Sequence, residues 1–119
     1  MAGGLWAEEP VGANKQVSYS PELVKKAEGG DADAQSRLGA CYFFGHGVAK
    51  DQKKAVKWWL KSAGQTNAWG MFYLTRCYYF GTGVDKDEKM ASSWAAKSAE
   101  HGDDWANDIH VNIDSKTKQ

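Results

Sequence analysis

The sequence has no excess of charge of either sign and no long apolar run. Its 15 basic and 15 acidic side chains cancel, so the chain lacks the broad field that attracts a nucleic-acid backbone or an anionic membrane. No apolar stretch approaches the roughly 20 residues that span a bilayer, and the segment MAGGLWAEEP lacks the regions of a signal peptide. We expect a soluble protein without nucleic acid or membrane insertion, in the cytoplasm or, if a signal peptide has been removed, in the periplasm.

The side-chain patterns of catalytic, metal and nucleotide sites are also missing. His46, His101 and His110 have no neighbouring histidine or cysteine at metal-ligand spacing. No cysteine-histidine or serine-histidine arrangement stands out. The loops that begin at Gly45 and Gly81 read Gly-x-Gly-Val, without the third glycine of a dinucleotide site or the lysine of a phosphate-binding loop. We predict no catalytic residue, no metal and no cofactor.

What the sequence does contain is an internal repeat. The segment CYFFGHGVAKD, which begins at Cys41, returns as CYYFGTGVDKD, which begins 36 residues later at Cys77. The downstream segment AVKWWLKSA returns as ASSWAAKSA at the same offset. A period of this size is typical of stacked-repeat architectures, in which each unit buries a face only against its neighbours. Folds of this kind usually bind other proteins.

Helix-start residues and helix-ending glycines alternate along the repeat. Ser20 and Pro21 form a helix start, and Gly45 can end a helix in the left-handed region. These signals predict helices over about 20–28, 31–44, from Asp51 onward, 67–80 and 87–101, followed by a closing helix over 103–113. The predicted repeat domain is 19–113, with repeat 1 over about 31–66 and repeat 2 over about 67–102. Residues 1–18 and 114–119 are predicted tails.

The two cysteines occupy the same place in successive repeats. Stacking should hold the backbones of Cys41 and Cys77 roughly 9 Å apart, as in packed helices, whereas a disulfide needs Cα atoms within about 7 Å. We predict two buried free thiols that act as small apolar fillers.

The segment LGACYFFGHGVAKDQKKAVKWWLKSA, from Leu38 to Ala63, resembles the Sel-one-like repeat family. The leucine-glycine pair, the tyrosine after it, the Gly-x-Gly-Val loop, the Lys-Asp helix start and the Lys-Ala-x-x-Trp run recur at the spacing of that family. The resemblance covers about residues 20 to 112. It implies an all-α fold, a right-handed α-solenoid of antiparallel helix pairs with two full repeats and terminal half repeats. It also implies a protein-interaction scaffold.

The chain departs from the family pattern at two positions of the second unit. Thr75 stands where the first unit has Gly39, and Gly70 stands where it has Ala34. We therefore expect the second hairpin to close at a slightly different distance. A cysteine-rich branch of the family pairs two cysteines inside each repeat. This chain lacks both, so the penicillin-binding activity suggested for that branch transfers poorly.

Positions that differ between the two units are candidates for function, because stacking does not require one residue type there. By analogy with related repeats, the first helix of each pair lines a concave surface, where polar and small residues of unit 1 become aromatic and basic in unit 2. Tryptophan, tyrosine and arginine dominate binding hot spots. The predicted partner-binding residues are Trp69, Phe72, Tyr73, Arg76 and Tyr79, together with Trp105 of the closing helix and Arg37 and Phe43 of the first unit. The alternative is that these rings form additional core.

The sequence thus predicts a non-enzymatic protein-interaction module, a monomer or weak oligomer. A narrower hypothesis is an inhibitor, such as an immunity protein that binds a secreted bacterial toxin. A general adaptor or chaperone-like scaffold is an alternative. From another class, a binder of cell-wall fragments or small molecules with weak hydrolase activity remains open.

Overall fold

The computed structural model describes residues 19–101. Five α-helices joined by short loops, with no strand, make up this part of the chain. They are α1 (Pro21–Glu28), α2 (Ala32–Phe44), α3 (Gln52–Gly64), α4 (Ala68–Phe80) and α5 (Glu88–Glu100). The expected all-α repeat fold is confirmed. The predicted tails and the whole of the predicted closing helix over 103–113, including Trp105, lie outside the described residues.

Each helix begins at a residue whose side-chain oxygen accepts a hydrogen bond from a backbone N–H three positions later. These caps are Ser20, Asp31, Asp51, Asn67 and Asp87. Such a bond satisfies one of the backbone donors that the first turn of a helix leaves without a partner. The helix starts predicted from these residues are confirmed.

Helices α2 and α4 both end at a glycine in the left-handed region. Gly45 has φ 74° and Gly81 has φ 73°, and each donates its backbone N–H to the carbonyl of the cysteine four residues earlier. A residue with a Cβ atom is strained at such a φ, so glycine ends the helix cleanly here. The predicted stops of both helices are confirmed.

Each helix packs against the next one along the chain, and α2 also contacts α4. This is the pattern of stacked helical hairpins, in which α2 and α4 are the first helices of successive units. Helices α3 and α5, the second helices of the same units, do not pack together to the same degree. The most extensive packing between the two units is that of α3 against α4, and the smaller contact of α2 with α4 indicates that these two first helices lie on the same side of the stack.

The core is built from residues that are equivalent in the two units. Leu38 and Leu74, Cys41 and Cys77, and Ala55 and Ala91 are all at most 1% exposed. Burial raises the pKa of the Cys41 thiol to about 11 and that of Cys77 to about 12. Both cysteines are free, and the prediction that they are buried is confirmed.

Trp59, and not Trp58, is the large core residue of α3. Ala55, Ser62 and Ala63 of the same helix are also fully buried. Trp58 is only half-buried, with the Lys61 ammonium 4.7 Å from its ring. Trp59 is 0% exposed, and its indole N–H donates to the Ser36 carbonyl at 3.0 Å.

The size of Trp59 explains why the first unit has Gly39 where the second unit has Thr75. A Cβ atom on Gly39 would lie 2.5 Å from Nε1 of Trp59, closer than real contacts allow. In the second unit the position of Trp59 is occupied by Ala95, so the space opposite it can hold a larger residue. The residue at that position is Thr75, which is 1% exposed and donates its hydroxyl to the Met71 carbonyl at 2.8 Å. The two units therefore exchange a glycine–tryptophan pair for a threonine–alanine pair.

Gly70 allows α4 to approach the end of α3. A Cβ atom at this position would lie 2.6 Å from Oγ of Ser62 and 2.8 Å from the backbone nitrogen of Ala63. Because the second of these atoms belongs to the backbone, a larger residue would have to push the helices apart. The replacement of Ala34 by Gly70 thus sets the distance between the first and second hairpins.

Candidate partner-binding surface

One side of α4 carries large side chains that are exposed or half-buried. We call this set the α4 surface, and it consists of Trp69, Phe72, Arg76, Tyr79 and Phe80. Positions 69, 72, 76 and 80 follow helical spacing, so they share one stripe along the helix. Trp69 is 40% exposed and Phe80 is 41% exposed, while the other three residues are half-buried. Of the sequence-predicted residues, the structure thus brings Trp69, Phe72, Arg76 and Tyr79 together.

The exposed rings are held by contacts with neighbouring rings. Trp69 meets Phe72 edge to face, with centroids 5.7 Å apart, and stacks on Tyr73 at 5.9 Å. Tyr79 and Phe80 also meet edge to face, at 5.0 Å. Edge-to-face and offset arrangements of this kind stabilise aromatic pairs by about 0.5–1.5 kcal/mol beyond the area they bury. The rings at each end of the stripe are therefore restrained in orientation.

The prediction that Tyr73 and Phe43 line an open surface is wrong. Tyr73 is 2% exposed and Phe43 is 4% exposed, so both belong to the core. The reason is Trp59 of α3, which stacks on Tyr73 with centroids 4.3 Å apart and lies 5.3 Å from Phe43. Tyr73 supports Trp69 from below, because one ring stacks on the other.

Arg76 lies at the middle of the α4 surface with its guanidinium 4.7 Å from the centroid of Phe72. Its Nε is buried and has no hydrogen-bond partner among the described residues. Arg76 also forms no ion pair within residues 19–101, whereas Lys86 pairs with Glu88. Burial lowers the pKa of the Arg76 guanidinium from its ordinary value, and Tyr73 opposes that shift.

Comparison with known proteins identifies the repeat. The Sel1 repeat model matches residues 32–67 and 69–103. The chain belongs to the Sel1 repeat family. Sel1 repeat proteins are generally protein-interaction modules and non-enzymatic scaffolds. A search of curated proteins finds no match.

Solved Sel1 repeat structures resemble this one. A protective antigen of uropathogenic Escherichia coli strains, which displays the same repeat fold, is 32% identical over 76% of this chain with a TM-score of 0.75. A Sel1 repeat protein from Oxalobacter formigenes is 38% identical over 74%, with a TM-score of 0.71. The cysteine-rich protein B of Helicobacter pylori is 32% identical over 73%, with a TM-score of 0.70. The match spans 20%, 36% and 65% of these three proteins, less than two thirds of each.

The first Sel1 repeat contributes much less to the surface than the second. Arg37 is exposed on α2, at the position that Tyr73 occupies in the second repeat. Asp33, at the position of Trp69, accepts a hydrogen bond from the Asn67 side-chain amide at 3.0 Å. The aromatic and basic character predicted for the second Sel1 repeat is therefore concentrated on α4.

Sequence reasoning missed Phe80 as part of the surface and Trp59 as its support. Phe80 has an identical counterpart in the first Sel1 repeat, Phe44, so it does not stand out as a position that differs between the two units. Its spacing of 11 residues from Trp69, three helical turns, was the available signal. The burial of Trp59 could have been inferred from two coupled differences between the repeats. The first repeat has the small Gly39 with the large Trp59, whereas the second has the larger Thr75 with the small Ala95.

Other parts of the two Sel1 repeats offer weaker sites. Within residues 19–101 no group of three histidine, cysteine or acidic side chains could hold a metal ion. A shallow, open depression lies beside the start of α3, between Lys50 to Lys53 and Gly83. In the same part of the chain, no helix combines the length and the apolar character that crossing a membrane requires. The α4 surface is the best candidate for function.

Proposed function

We propose that this protein is a non-enzymatic module that binds a protein partner through the α4 surface. The observation that carries the proposal is a stripe on one helix in which Trp69 and Phe80 are exposed and Phe72 and Arg76 are half-buried. Binding energy in protein interfaces concentrates in tryptophan, tyrosine and arginine side chains that become fully desolvated in the complex. The usual role of Sel1 repeats in protein interactions supports the same conclusion.

The rings of the α4 surface are suited to binding because they are already ordered. Trp69 stacks on Tyr73, and Tyr73 stacks on the fully buried Trp59. A ring that is held in place before binding loses little conformational entropy when a partner covers it. A partner therefore gains most of the energy of burying these rings.

Affinity purification with matched variants tests the proposal. The wild type, Trp69→Ala and Leu60→Ala are each used to capture proteins from the native cells, and the partner is then titrated against all three. Leu60 is the control, because it is 38% exposed on α3, close to the 40% of Trp69. We expect Trp69→Ala to weaken binding by about 30-fold, the loss of a hot spot, while Leu60→Ala binds like the wild type. Equal affinities for all three proteins, at unchanged thermal stability, would contradict the proposal.

The narrower inhibitor hypothesis also predicts the stoichiometry and the effect of the complex. An immunity protein should form a one-to-one complex that abolishes the activity of a secreted toxin. Binding to several unrelated proteins through the α4 surface would instead support a general adaptor. For a binder of cell-wall fragments, calorimetric titration with such fragments should give heat, and we expect none.

A further inference from the structure

Arg76 is half-buried, and its Nε is shielded from water without gaining an acceptor. Its Nε is buried, and no described residue accepts a hydrogen bond from it. Its contact with Phe72, 4.7 Å from the ring centroid, holds the planar group in place but supplies no hydrogen bond. A buried donor without a partner destabilises a folded protein, and the penalty is larger when the group is charged. The described residues thus supply no acceptor for Nε of Arg76.

The acidic residues of the repeats do not serve this purpose. No carboxylate within residues 19–101 lies at ion-pair distance from Arg76. Asp31, Asp51 and Asp87 accept hydrogen bonds as helix caps, and Asp33 accepts one from Asn67. The described part of the chain thus presents a cation on the α4 surface and no anion to match it.

The first repeat shows that the framework does not require a cation at this position. The residue equivalent to Arg76 is Ala40, a small apolar residue that is 3% exposed. Ser36 is the counterpart of Phe72. The same fold therefore accommodates Ala40 and Ser36 in the first repeat, and Arg76 stacked on Phe72 in the second. Stacking of the repeats alone leaves the arginine unexplained.

We propose that the α4 surface selects a partner segment with an aspartate or glutamate side chain that binds Arg76, next to an apolar side chain that packs on Trp69. This specificity rests on the proposed protein-binding function. A carboxylate matches the planar guanidinium, because two parallel N–H···O bonds can form. The exposed face of Trp69, about two helical turns away on the same stripe, offers apolar area for a neighbouring side chain.

Panning a random 12-residue peptide display library against the full chain tests this specificity. The enriched peptides are then synthesised with their acidic residue intact and with the matching amide, Asn for Asp or Gln for Glu. Both forms are titrated against the wild type, Arg76→Gln and Arg76→Lys. Lys57→Gln is the charge-matched control, because Lys57 is an exposed cation on α3, outside the α4 surface.

We expect the enriched peptides to share an acidic residue beside an aromatic or aliphatic one. The amide form should bind the wild type about tenfold more weakly than the acidic form, the usual scale for losing a charge-assisted bond. Arg76→Gln should lose about the same factor for the acidic peptide and almost nothing more for the amide. Arg76→Lys should fall in between because it keeps charge but not the planar fork. Lys57→Gln should bind within about twofold of the wild type.

The outcomes separate this specificity from the proposed function. If the enriched peptides lack acidic residues, or bind Arg76→Gln as tightly as the wild type, while Trp69→Ala still weakens them, the carboxylate specificity is wrong and protein binding through the α4 surface stands. If Trp69→Ala leaves every peptide affinity unchanged, the α4 surface is not the binding site and both proposals fail. Absence of any enriched peptide also overturns the specificity.

Discussion

Exchanging one residue pair between the two repeats should reveal how strongly Trp59 determines the fold around the α4 surface. The first repeat pairs Gly39 with Trp59, whereas the second has Thr75 and Ala95 at the same positions. The variants are Gly39→Thr, Trp59→Ala and the double change, which gives the first repeat the pair of the second. We expect each single change to destabilise the protein and the double change to recover part of the loss.

The structure sets the size of each effect. Trp59→Ala removes a fully buried indole and its hydrogen bond to the Ser36 carbonyl, so it should cost about 3–5 kcal/mol. Gly39→Thr places a Cβ atom 2.5 Å from the indole nitrogen, an overpacking that should cost about 1–3 kcal/mol, offset by about 0.5 kcal/mol of helix propensity. When the indole is gone, the threonine has space and fills part of the cavity. The double variant should therefore be about 2 kcal/mol more stable than the sum of the single effects predicts.

Urea unfolding followed by far-ultraviolet circular dichroism measures all four proteins without relying on tryptophan fluorescence. The coupling free energy is the difference between the double variant and the summed single variants. Effects that add within about 0.5 kcal/mol would refute the steric explanation of the pair. A double variant less stable than Trp59→Ala alone would also refute it.

Two further predictions concern buried groups. Arg76→Met keeps an unbranched side chain against Phe72 and removes the unpartnered donor. The free energy of unfolding should therefore rise by about 1 kcal/mol, which would raise the melting temperature by about 4–8 °C. A lower melting temperature would show that Arg76 stabilises the fold. Cys41 and Cys77, whose thiol pKa values burial raises to about 11 and about 12, should react with Ellman's reagent at pH 8 only after denaturation. Because the folded state keeps both thiols protonated, their contribution to stability is complete below about pH 8.5 and is lost as pH rises towards the folded pKa values. A Cys41→Ala, Cys77→Ala variant should lose less stability between pH 8 and pH 10.5 than the wild type, and fast labelling of native protein would contradict the thiol prediction.

The helix boundaries could be predicted from the sequence because they depend on local chemistry. Asp51 and Asp87 cap helices through their own side chains, and Gly45 and Gly81 end helices through their own backbone conformation. None of these effects requires knowledge of a distant residue. The repeat strengthens each of them, since the same signal occurs twice at the same spacing.

The burial of individual rings could not be predicted in the same way. The interpretation of Tyr73 and Phe43 as surface residues assumed that equivalent positions have equivalent surroundings in both repeats. Trp59 breaks that assumption, because its counterpart is Ala95 and only the tryptophan is large enough to cover both rings. A helical period indicates direction, but the depth of burial depends on the size of the residue on the facing helix. That size is a property of one repeat and not of the family pattern.

The same tryptophan links the stability of the core to the geometry of the α4 surface. Trp69 stacks on Tyr73, which in turn stacks on Trp59, so the exposed ring rests on two buried ones. Stacked rings resist rotation of each other, and a close-packed interior passes a small displacement on to its neighbours. A change of size at Trp59 therefore alters the orientation of Trp69 as well as the free energy of folding. The aromatic surface of the second repeat is rigid because Trp59 of the first repeat lies beneath it. Gly39 leaves the space that the Trp59 ring occupies.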